Sequence, residues 1–139
     1  MYTDYYYFVI QSVTSSPIPM VQPLACFLFG CSYDDTLAFW DTRSFKRPME
    51  TVALSGGVWR IRQKTKNNGD DHHLLAVAAM YDGFHLVDVD RRESVLNFRE
   101  HESIAYGIDF CHAAKSSAGD RLTLVSCSFY DHLVKVWTA

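Results

Sequence analysis

The chain has 139 residues, 48% of them hydrophobic and 14% aromatic, with a formal net charge of −3. This is the composition of a folded globular chain rather than a disordered one, and the negative balance argues against a general polyanion binder. No apolar run approaches the roughly 18 residues of a membrane helix, and the opening MYTDYYYFVI lacks a basic segment and carries an early Asp4, so neither a membrane span nor a secretory leader is expected. The cysteines, Cys26, Cys31, Cys111 and Cys127, form no CxxC pair. Without a secretory context they read as reduced, partly buried thiols of a cytoplasmic protein.

In chain order, the predicted elements are short strands, rich in β-branched and aromatic residues and separated by Gly, Asp, Asn and charged clusters. Tyr5–Val13 is a weak candidate, followed by SSPIP, and residues 1–22 match nothing in the pattern that follows. Phe27–Cys31 and Thr36–Trp40 come next. Then come Val58–Gln63, Leu74–Met80, Phe84–Val89 and Ser94–Arg99, and finally Ile104–Cys111, Leu122–Ser128 and Leu133–Trp137. No stretch has the 3.6-residue period of an amphipathic helix.

The strands belong to a repeat. Tyr33-Asp34, Tyr81-Asp82 and Tyr130-Asp131 open YDDTLAFW, YDGFHLVD and YDHLVKVW, at spacings of 48 and 49 residues. Trp40 and Trp137 lie six residues after the Asp in the first and third copies; Asp88 holds that place in the second. Such a period, with four antiparallel strands in each repeat, predicts propeller blades. The expected fold is all-β, a partial β-propeller of about three four-stranded blades. Residues 23–55 form a partial first blade, 56–100 the second, and 101–139 a third that lacks its last strand. Propellers close with about four to eight blades, so the chain is expected to be part of a longer protein or a truncated gene product.

From about residue 27 to 139 the pattern resembles the WD-repeat family. That family places a His near the start of a blade, an Asp in the b–c turn and a Trp at the end of strand c. His101, Asp131 and Trp137 match in the third repeat; Asp34 and Trp40-Asp41 match in the first, and Asp82 alone in the second. The resemblance implies a buried hydrogen-bonded network completed by a strand-b hydroxyl, from Ser126 or Ser128. Three ordered stretches carry a narrower resemblance: GGVWRIR (56–62), EHESIAYGIDF (100–110) and CSFYDHLVKVW (127–137), with LLAVAAMYDGFHLVDV between the first two. They are similar to the C-terminal half of the WD-repeat diphthine methyl ester hydrolases, a family that also carries the name diphthine methyltransferase. Gln63-Lys64-Thr65 departs from the Trp-His-Pro-like segment usual there. The resemblance implies hydrolysis of the methyl ester of methylated diphthine on translation elongation factor 2 during diphthamide biosynthesis. It implies that modified factor as partner, no direct nucleic-acid or membrane contact and no cofactor. The alternative is a non-catalytic WD-repeat scaffold that binds another protein through its propeller face, and a third reading is a truncated chain that has lost both functions.

Ester hydrolysis needs a nucleophile or activated water, a base, and donors for the oxyanion. Neither the G-x-S-x-G elbow nor the HExxH zinc signature is present. In an antiparallel blade the b–c turns and d–a connections emerge on one rim, which places Tyr33, Asp34, Tyr81, Asp82, Tyr130 and Asp131 beside Glu100-His101-Glu102. The resemblance implies a substrate with a trimethylammonium group, which aromatic faces and carboxylates attract. The rim is therefore the candidate substrate-binding surface, with His132 or His101 as base. Each residue has a structural reading too. The aspartates suit tight turns, His101 suits the blade network, Trp40, Trp59 and Trp137 suit the core, and Cys127 suits a packed thiol. Arg60, Arg62, Lys64 and Lys66 read as a solvated strand face. His72-His73, in a polar loop, is a weak metal candidate, and no metal is expected.

Overall fold

The computed structural model describes residues 14–15, 26–31, 33–44, 46–64, 73–111 and 121–139. These residues are all β, arranged as three antiparallel sheets that form the blades of a partial propeller and do not close into a ring. The first sheet holds β1 (Thr14–Ser15), β2 (Cys26–Cys31), β3 (Thr36–Asp41) and β4 (Glu50–Ala53). The second holds β5 (Val58–Gln63), β6 (Leu74–Ala79), β7 (Gly83–Asp88) and β8 (Glu93–Phe98). The third holds β9 (Ala105–Phe110), β10 (Thr123–Ser128) and β11 (Val134–Thr138). Among the described residues no helix is long and apolar enough to cross a membrane.

The middle blade shows why the sheets stack. Side chains alternate across a strand, so β6 and β7 send one set to each neighbour. Leu75, Val77, Ala79, Val87 and Val89 join Phe29, Leu37, Phe39, Val52 and Leu54 in the core shared with the first blade. Ala76, Ala78, Phe84 and Leu86 join Ala105, Ile108, Phe110 and Leu124 in the core shared with the third. β6 is apolar throughout because both of its faces are covered, which is how a doubly buried strand reads in sequence. β8, at the outer edge, is largely exposed.

The strands predicted from sequence appear with ends shifted by at most a residue or two, and Val58–Gln63 is unchanged. Two were not foreseen. β1 is a two-residue pairing with β2. β4 reads as polar, because Val52 is its one buried side chain. The candidate at Tyr5–Val13 lies outside the described residues.

Each Tyr-Asp turn ends on a residue with left-handed backbone: Asp35 (φ 64°), Gly83 (φ 94°) and His132 (φ 52°). Glycine takes this conformation without steric cost, and Asp and His tolerate it better than most residues. The repeat is thus one of backbone shape as well as residue type.

Candidate functional site

An open groove of about 920 Å³ lies on the rim between the second and third blades. The b–c turns contribute Tyr81, Asp82, Tyr130 and Asp131, and the connection between blades contributes His101 and Glu102. Backbone hydrogen bonds hold these segments together: Ala105 N donates to Met80 O (2.9 Å), and Phe129 N to Ile104 O (3.1 Å). Tyr130 N donates to Ser103 Oγ (2.9 Å). Tyr33 and Asp34 belong to the first blade and do not line this groove. Asp34 closes its own turn, accepting from Thr36 N (3.1 Å) and Thr36 Oγ1 (2.6 Å).

Beneath the groove, the third blade contains a one-directional chain of hydrogen bonds. Trp137 Nε1–H donates to Ser126 Oγ (3.1 Å). His101 meets Ser126 Oγ through Nε2 (2.8 Å) and Ser128 Oγ through Nδ1 (2.6 Å). The Ser128 hydroxyl donates to the Asp131 carboxylate, which also accepts from Leu133 N (3.3 Å). Because Ser128 spends its proton on Asp131, it accepts from His101 Nδ1–H. His101 Nε2 must then accept from Ser126, whose oxygen is left to receive the indole proton. This assignment satisfies every member with a neutral imidazole. Burial pushes the His101 pKa below the ordinary imidazole value, outweighing the pull of Asp131. The Ser128 hydroxyl is the main cause holding Asp131 below the usual carboxylate range. Both serines, rather than one, complete the chain. His101 therefore stands at the groove with both ring nitrogens engaged, whereas His132 is exposed in the turn and does not itself line the groove.

The second blade supports its turn differently. Asp82, buried under the rim, accepts from His85 Nε2 (3.0 Å), Asn97 Nδ2 (3.2 Å) and the Arg99 guanidinium. His85 Nδ1 meets Ser94 Oγ at 2.8 Å. Burial lowers the His85 pKa more than Asp82 raises it. A β-bulge makes this network: His85 pairs with Asn97, yet Val87 pairs with Ser94, so Val95 is extra. The bulge puts Ser94 and Asn97 on the same side as His85. No sequence motif pointed to His85, Ser94, Asn97 or Arg99, and a bulge leaves no local signature. At the place of the missing Trp, Asp88 caps the next turn, accepting from Asp90 N (2.9 Å) and Arg91 N (3.0 Å).

An aromatic run crosses all three blades. Ring centroids are 6.3 Å apart for Tyr33–Trp59, 5.6 Å for Trp59–Tyr106, 5.2 Å for Tyr106–Phe129 and 5.0 Å for Phe129–Tyr130. Two glycines make room. A Cβ on Gly57 would meet the Tyr33 ring at 3.3 Å, and one on Gly56 would stand 2.9 Å from Asp82 N. The GGVW stretch thus brings the first blade's turn against the second's. Trp59, a core candidate from sequence, is only half-buried and belongs to this run; Trp40 is buried and Trp137 stacks on Phe98 (4.3 Å, 7°). Cys127 is partly buried and packs over Gly107. Arg62 is 3.4 Å from Asp109 of the third blade. Lys66 and His72 lie outside the described residues, and no cluster of three or more metal-type ligands occurs among those described.

No protein-family model matches the chain. It is 35% identical over 120 residues to a diphthine methyltransferase homolog of Dictyostelium discoideum, covering 76% of this chain and 30% of that protein. It is 33% identical over 86 residues to the diphthine methyltransferase of Mus musculus (57% of this chain, 17% of that protein). With that of Schizosaccharomyces pombe it shares 30% identity over 120 residues (83% of this chain, 34% of that protein). The chain thus spans about a third or less of these curated relatives. In fold it is similar to the computationally designed Ika4 protein, with a TM-score of 0.54 at 18% identity, over 80% of this chain and 59% of that one. By sequence the chain belongs to the diphthine methyltransferase family.

Proposed function

We propose that this chain supplies part of the substrate face of an enzyme of diphthamide biosynthesis, one that hydrolyses the methyl ester of methylated diphthine on translation elongation factor 2. The observation that carries this is the groove, where Tyr81, Asp82, Tyr130, Asp131 and Glu102 converge from two blades. The exposed Glu102 and Asp131 carboxylates and the phenol rings suit a cationic side chain, while Asp82 is already paired with Arg99. Of the two histidines considered as base, His101 has its acceptor nitrogen occupied by Ser126, which leaves the role to His132. In the proposed step, the His132 imidazole takes a proton from water, the resulting hydroxide attacks the ester carbonyl, and methanol leaves with that proton. The product is the carboxylic acid of diphthine, which releases its proton to solvent.

The scaffold reading is favoured by one observation, the exposed aromatic run, which suits protein binding without chemistry. Methyl release from methylated diphthine on elongation factor 2, with the folded 139-residue chain, separates the two. Release that is lost in His132→Gly while stability is unchanged supports the esterase. No release from the folded chain leaves the scaffold reading in place for this chain.

A further inference from the structure

The aromatic run is built by a device that repeats from blade to blade. In β5, Val58 pairs with Ala79 and Arg60 with Ala78, so Trp59 is the extra residue of a bulge. In β9, Gly107 pairs with Cys127 and Ala105 with Ser128, so Tyr106 is the extra residue at the matching place. A bulge turns a side chain out of the ladder and re-aims it. Here two successive inner strands each re-aim an aromatic, and the rings meet at 5.6 Å.

Exposure, not ring angle, sets this run apart from the cores, where the buried Phe29–Phe39 pair is also edge-to-face at 89°. Phe98 and Trp137, in the core between blades, lie nearly parallel at 7° and hide each other's faces. The rim rings tilt: 31° for Trp59–Tyr106, 47° for Tyr106–Phe129 and 88° for Phe129–Tyr130. Tyr106, Phe129 and Tyr130 are 40%, 49% and 69% exposed, so these faces meet solvent. Splayed aromatic faces attract a soft cation through their quadrupoles. Tyr130 also lines the groove with Asp131 and Glu102, which adds negative charge at one end of the run.

We infer that Trp59, Tyr106, Phe129 and Tyr130 form a seat for a quaternary ammonium group carried by the substrate, beside the groove rather than within it. The seat deepens the function proposed above and rests on it for the identity of the substrate. It shifts cation recognition from the Tyr-Asp pairs to the bulge aromatics, with Tyr130 shared.

Choline and its uncharged isostere 3,3-dimethylbutan-1-ol are the probes, with binding to the folded 139-residue chain read by saturation-transfer NMR. Choline is expected to bind more tightly than the isostere by about three- to thirtyfold, the range of one cation–π contact. Trp59→Leu and Tyr106→Leu should each weaken choline by a similar factor, while Trp59→Phe, which keeps an aromatic face, retains most of the binding. Circular dichroism confirms that each variant is folded. Equal binding of probe and isostere, no choline binding, or choline binding unchanged in both leucine variants would overturn the seat. Choline binding without methyl release from methylated diphthine leaves the seat standing and removes the esterase. Methyl release at full rate in Trp59→Leu does the reverse.

Discussion

Replacing Ser126 by alanine puts the hydrogen-bond chain of the third blade to a quantitative test. Ser126 is 1% exposed. Its oxygen receives the Trp137 indole proton at 3.1 Å, and its own proton goes to His101 Nε2 at 2.8 Å. Two neutral hydrogen bonds are lost, at about 1 kcal/mol each. The indole N–H and the imidazole lone pair also lose their partners, at about 1–3 kcal/mol each if water cannot reach them. Trp137 and His101 are both half-buried, so water repays part of that penalty. The expected destabilisation is about 2–4 kcal/mol, a large share of the roughly 5–15 kcal/mol that holds a domain together. In urea, with a slope of about 2 kcal/mol/M, the midpoint falls by about 1–2 M. Trp137→Phe removes the donor but keeps the stack on Phe98. The double variant should therefore cost at least about 0.5 kcal/mol less than the sum of the singles. A loss below about 0.5 kcal/mol in Ser126→Ala, or full additivity of the pair, would refute the chain as a structural device.

His85 and His101 both have pKa values lowered in the fold from 6.5. The unfolded chain therefore takes up protons first, and stability, complete above that value, is expected to fall as pH drops through and below it, as read by urea midpoints across pH. Asp131 adds a later loss below 3.8, where its unfolded carboxyl protonates before its folded one. A Cβ at Gly107 would stand 2.7 Å from Cys127 Sγ, so Gly107→Ala should cost about 1–3 kcal/mol by overpacking, and adding Cys127→Ala should recover most of it in the same unfolding experiment. Tyr81→Ala and Tyr130→Ala, at side chains 78% and 69% exposed, should shift stability by no more than about 0.5 kcal/mol while reducing methyl release. His132→Gly should leave stability within about 1 kcal/mol, because glycine accepts the left-handed backbone that histidine holds at some cost.

The propeller was legible because its cause is local and repeated. Alternating apolar strands and Tyr-Asp turns at near-constant spacing need only sequence-adjacent physics, and Val58–Gln63 could be read to the residue. The rim, though not the groove in it, could be placed because antiparallel topology alone sends b–c turns and d–a connections to one side. Three kinds of feature were hidden. β4 has a single buried side chain and so no alternation to detect. The His85–Ser94 contact depends on an extra residue at Val95, which shifts the register by one. The aromatic run depends on bulges at Trp59 and Tyr106. Without the bulges, Trp59 reads as another core tryptophan. A shift of one residue exchanges the faces of a strand, so a bulge is the smallest event that defeats pattern reading.

Both networks under the groove contain a histidine and a serine besides the aspartate at the turn, but they connect them in different orders. The third blade holds Asp131 through the Ser128 hydroxyl, which His101 and Ser126 link to Trp137. The second holds Asp82 through a histidine, an asparagine and an arginine. Both reach the same result, a turn of fixed shape with a left-handed third residue and a tyrosine pointing to solvent. Support from below is therefore separable from the residue displayed at the third place, which is Asp35, Gly83 or His132 in successive turns. A reactive group can be installed there at the cost of local backbone strain and without disturbing the buried network. That separation is the physical basis of the proposal: His101 supports the turn, and His132 is the residue proposed for chemistry, although both stand within one blade.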